Sequence, residues 1–68
     1  MAKHTTIAKK VREARRKAGL SQDKLAREAG VAYNTIVKIE SGENPNPTVD
    51  TIKKIANALN VDVGDMIK

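Results

Sequence analysis

Asn34 and Lys38 stand four residues apart with Val37 beside Lys38, and their types and spacing match a definite chemistry. Four residues is just over one helical turn, so in a helix both side chains share a face. An asparagine amide can meet adenine with two hydrogen bonds, a lysine can donate to guanine, and a valine can touch a thymine methyl. All of those groups line the floor of a major groove. Ser41 extends the arc and Tyr33 flanks it near the N-terminal end, while Ile36 and Ile39 fall on the opposite side. The arc lacks both the apolar excess of a core helix and the dense charge of a solvated one. Gln22 stands where a helix begins, and there free amides and the dipole favour a phosphate oxygen. Catalysis has no comparable support: no paired carboxylates suit a pocket, no nucleophile has a histidine beside it, and no glycine loop suits a phosphate. His4 is the sole histidine and cysteine is absent, so no metal or other cofactor is expected.

These residues need two short helices and a tight turn, and the stretch from Leu20 to Gly42 reads that way. Ser21 caps the first helix. Asp23 sits in its first turn, favourable to the dipole, and pairs with Arg27 at i,i+4. Leu25, Ala26 and Ala29 share its buried face, and Gly30 ends it in a conformation with φ > 0. The next helix runs from about Tyr33 to Ser41, with Ile36 and Ile39 inward and Ala32 leaning the same way. Two helices joined by a short glycine-containing turn make a helix-turn-helix.

The flanking elements supply the rest of a core. Met1 to His4 read as a loose arm. Thr5 or Thr6 caps a helix that runs to about Ala18 and stops at Gly19, with Ile7, Val11, Ala14 and Ala18 as its buried stripe. Lys9, Lys10, Arg12, Arg16 and Lys17 mostly take the wet side, while Arg15 borders the stripe. Two prolines keep the segment from Glu43 to Pro47 out of a helix. Thr48 caps a fourth helix with Val49, Ile52, Ile55, Ala56 and Leu59 inward and an outer Asp50–Lys54 pair, ending at Asn60. Asp62 caps a last short helix, Val63 to Ile67. The apolar residues there divide between closing the core and a dimer surface, for which Met66 and Ile67 are the candidates.

Sixty-eight residues suffice for one domain with a small core. With one aromatic and no cysteine, its stability must come from aliphatic packing. The charge is uneven: residues 1–42 hold ten Lys/Arg against four Asp/Glu, a net of +6, and residues 43–68 hold three against four, a net of −1. A basic half beside a near-neutral one suits a polyanion. The charged first twenty residues hold no signal peptide or membrane span, so a cytoplasmic protein is the default.

Spacing within the helix-turn-helix is more specific than its outline. Counting from Gln22, Ala26 is fifth and Gly30 ninth, and Ile36 and Ile39 are fifteenth and eighteenth. At these residues, and on through GVAYNTIVKIESGENPNP to NALNVDVGDMI, the chain resembles the lambda-repressor-like (Cro/CI, XRE-type) family. The resemblance implies an all-α fold of five helices over residues 5–68 and a transcriptional regulator that binds double-stranded DNA. It implies base contacts from Tyr33, Asn34, Val37 and Lys38, and backbone contacts from Gln22, Thr35, Ser41, Asn44 and Asn46. It further implies an ion pair between Arg15 and Glu40 that ties the first helix to the reading helix. Two-fold dimers on half-sites about one turn apart, roughly 34 Å, are the family's usual mode. Where relatives often place Lys or Arg in the loop, this chain has Glu43 and two asparagines, which weakens any electrostatic clamp there. The rival from another class is a protein-interaction module of the same fold, antitoxin-like or coactivator-like, since fold does not settle function. The polar face and basic half favour DNA. No small-molecule substrate is indicated.

Overall fold

The computed structural model describes residues 5–44 and 46–67, without the side chains of Thr5 and Thr6. The expected arm and the capping of the first helix by Thr5 or Thr6 lie outside that description. Five helices follow in order: α1 (Thr5–Lys17), α2 (Gln22–Ala29), α3 (Tyr33–Ser41), α4 (Val49–Leu59) and α5 (Val63–Ile67). Among the described residues no strand is present, and no helix is long and apolar enough to cross a membrane.

Local chemistry sets the helix ends. The Ser21 hydroxyl accepts from the Lys24 amide at 3.0 Å, and the Thr48 hydroxyl accepts from the Thr51 amide at 3.1 Å. Each removes one of the orphan donors of a first turn. Gly30 adopts φ 72°, and the next amide, on Val31, reaches back to the Ala26 carbonyl at 3.0 Å. That six-residue closure turns the chain sharply out of α2 and toward α3. Asn60 makes the same turn after α4 at φ 59°, the one non-glycine position that does so among the described residues. The Arg27–Asp23 and Lys54–Asp50 pairs form at 3.0 and 3.4 Å on exposed surface, where such pairs contribute only a few tenths of a kcal/mol.

The core gathers Ile7, Val11, Leu25, Ile36, Ile39, Ile52, Ile55, Leu59 and Met66 with the small Ala26, Ala29 and Ala56. Here α3 packs on α1 and α2, α2 packs on α4, and α5 closes the far side against α1 and α4. The alanines matter because α2 lies against two helices at once, and a larger side chain at buried Ala26 would push them apart.

Four expectations about burial need correction. Ala18 is exposed because α1 ends at Lys17, so Ala18 is already in the turn and off the helical period. Ala32 is exposed for the same reason, as the extended residue before α3. Val49 is 66% exposed in the first turn of α4; periodicity fixes its side of the helix, but nothing covers that side there. Met66, placed on a dimer surface by its terminal position, is 2% exposed and belongs to the core, whereas its neighbour Ile67 is 56% exposed. Consecutive residues of a helix point about 100° apart, so α5 can turn only one of the two toward α1 and α4.

Candidate nucleic-acid interface

Helix α3 is anchored by Ile36 and Ile39, both fully buried. The arc opposite them carries the residues singled out by type. Tyr33 is half-exposed, Asn34, Lys38 and Ser41 are exposed, and Thr35 and Val37 are half-buried on the flanks. Asn34 and Lys38 are thus presented together from a helix whose other side is fixed in the core. No side chain caps the start of α3, so its first amides have no side-chain acceptor.

The helix is held in place by its penultimate residue. Glu40 is 5% exposed, the one buried charged side chain among the described residues. Its carboxylate accepts from Arg15 twice, from Nε at 2.7 Å and Nη2 at 3.1 Å. Gln22 Nε2 donates to the same carboxylate at 3.0 Å, and Arg15 Nη1 donates to the Leu20 carbonyl at 2.8 Å. One buried charge therefore joins α1, the α1–α2 turn, the start of α2 and the end of α3. The bidentate fork supplies geometric specificity as well as attraction. Hydrogen bonding to Glu40 holds the Arg15 guanidinium above its ordinary pKa, against desolvation and with help from the carboxylate's charge. A raised pKa on a cation adds stability that is complete below the unfolded value and lost only as pH rises through the folded one. The Arg15 side of the pair therefore gives no pH dependence across the neutral range.

Arg12 departs from the sequence reading. It is half-buried, and its Nη1 donates to the main-chain carbonyl of Glu40 at 3.0 Å. Ala8 is 2% exposed, so the inward face of α1 is broader than the apolar stripe and runs toward Arg12 and Arg15. A hydrophobic stripe assigns every arginine to water and misses one whose stem is covered and whose head has a partner.

Three residues expected to bond a nucleic-acid backbone have partners within the chain. Gln22 is engaged by Glu40, as above. The Ser41 hydroxyl donates to the Lys38 carbonyl at 3.1 Å and accepts from the Glu43 amide at 3.2 Å. The Asn44 amide reaches the Lys38 carbonyl at 3.0 Å, and its side-chain oxygen accepts from the Asn46 amide at 3.3 Å. Ser41 and Asn44 thus shape the turn that ends α3.

Residues 11–66 match the family model described as helix-turn-helix. An HTH-type transcriptional regulator of Bacillus subtilis, SlrR, is 35% identical over 60 residues, which cover 88% of this chain and 40% of that protein. An uncharacterized HTH-type transcriptional regulator of Archaeoglobus fulgidus is 39% identical over 57 residues, covering 84% of this chain and 80% of that one. The chain therefore spans well under half of the first relative and most of the second.

Proposed function

The chain belongs to the helix-turn-helix family, and from that premise we propose that it is a sequence-specific transcriptional regulator whose α3 enters the major groove of double-stranded DNA. The supporting observation is the division of α3 into a buried Ile36–Ile39 side and an exposed polar arc of Asn34 and Lys38, with Tyr33 at its edge. Those side chains are of the kinds that hydrogen-bond base edges, and Glu40 fixes the helix that carries them. The mechanism is steric and electrostatic. Thr35, Ser41, Asn44 and Asn46 surround the arc as backbone contacts, and backbone contacts set register without reading sequence.

Gln22 has two roles in this reading. Its Nε2 is committed to Glu40, while the start of α2 meets a phosphate. Gln22→Ala should weaken binding to a selected duplex and to a scrambled one by a similar factor. The salt dependence should barely change, because no charge is lost. A change in the ratio of the two affinities would contradict a purely backbone role for Gln22.

The regulator acts as a weak homodimer on two-fold sites, with Ile67 at the contact. An exposed isoleucine at the end of α5 is the apolar surface left for it once Met66 is in the core. Sedimentation equilibrium should show concentration-dependent association that Ile67→Lys abolishes while remaining folded. A wild-type chain that stays monomeric at every concentration would remove Ile67 from that role.

The function as a whole is tested by selecting duplexes from a random pool with the wild-type chain. Enrichment of a two-fold motif is the expected result. Absence of any enrichment would contradict DNA reading and favour a protein partner for the same fold.

A further inference from the structure

Glu40 is gripped from α1 at both ends. Arg15 takes its carboxylate, and Arg12 takes its carbonyl. That carbonyl lies in the last turn of α3, where four carbonyls lack an intrahelical amide. The others in the turn that are bonded are closed locally: Lys38 by the Ser41 hydroxyl and the Asn44 amide, and Ile39 by the Gly42 amide. Local closure fixes the shape of the turn but not its place against the rest of the domain. The carboxylate pair also leaves slack, because several rotatable bonds separate it from the backbone of α3. A hydrogen bond to the backbone of the same residue removes that slack, and a cation at a helix C-terminus is favoured by the dipole as well.

We propose that Arg12 is a positioning residue for sequence reading: it fixes the C-terminal end of α3 so that Asn34 and Lys38 reach the groove floor at a set depth. The proposal rests on the DNA-binding reading above. It differs from two plainer roles for an arginine there, a phosphate contact and a general contribution to stability.

Two variants separate these. Arg12→Lys keeps the charge and a donor of nearly the same reach for the carbonyl, whereas Arg12→Met keeps the stem and loses both. Each is titrated against the duplex most enriched by the wild-type chain from a random pool and against a scrambled duplex of the same composition. The titrations run over a salt series, at a temperature where circular dichroism shows every variant folded. Arg12→Met should lower the selected-to-scrambled affinity ratio about fivefold, the low end of the cost of one base contact. Arg12→Lys should restore most of that ratio, and the salt slope should stay at the wild-type value in both. Equal loss on both duplexes with a slope shallower by about one would make Arg12 a phosphate contact and overturn the proposal. A lowered melting temperature with an unchanged ratio would make it a stabiliser only and overturn it too. If the wild-type chain prefers no sequence in the pool, the DNA reading itself fails, an outcome distinct from a preference that the Arg12 variants retain.

Discussion

Glu40→Ala should destabilise the domain by on the order of 3–5 kcal/mol, because it leaves the Arg15 guanidinium covered and without its counter-charge. Arg15 is 13% exposed at its side chain and Glu40 4%, so water compensates little for the loss of either. A chain of 68 residues is expected to be stable by only roughly 3–10 kcal/mol, which puts the variant at the edge of unfolding. Arg15→Ala should cost about as much, since it strands the carboxylate with Gln22 as its one side-chain donor. The double variant should fall well short of the sum, because the second removal relieves the charge that the first left unpaired. Replacing both with apolar residues of similar volume, Arg15→Met with Glu40→Leu, should recover much of the stability, since burial of a pair costs about what its attraction returns. Urea denaturation of the wild type and these four variants measures all of this. Additive losses below about 0.5 kcal/mol each would place both residues on wet surface.

Asn34→Ala should act on recognition and leave stability almost untouched, because the side chain is exposed and lies opposite the buried side of α3. The loss should be roughly 1–3 kcal/mol on a selected duplex and small on a scrambled one, the signature of a base contact as opposed to a phosphate contact. Preference should relax at one base pair per half-site. A variant that binds both duplexes as the wild type does would take Asn34 out of the reading set.

The helices were legible because their ends are written in residues with one local job. Ser21, Gly30, Thr48 and Asn60 each occupy the cap or turn that its type suggests. The inward faces were legible where apolar residues alone mark them, as with Leu25, Ile36, Ile39 and Ile55, all at most 1% exposed. Glu40 lies inward, four residues after Ile36, yet its charge argues for water. Only a partner decides between the two: spacing sets Arg15 at the border of the apolar stripe, and the family resemblance pairs it with Glu40. Arg12 had no such pointer, because its acceptor is a backbone carbonyl and sequence does not display backbone. Val49 and Met66 show the opposite limit: a pattern gives the side of a helix, and tertiary packing decides whether that side is covered.

The central claim, that α3 reads bases in the major groove through Asn34, is tested most directly by combining the Asn34→Ala variant with altered DNA. Each purine of the selected half-site is replaced in turn by its 7-deaza analogue, which lacks the major-groove N7 acceptor and keeps its minor-groove edge. At one position the replacement should weaken wild-type binding by about fivefold or more and leave Asn34→Ala binding unchanged, because the variant has already lost that contact. If no position weakens the wild type, or if every replacement weakens both proteins equally, Asn34 does not read a purine from α3 and the account is wrong.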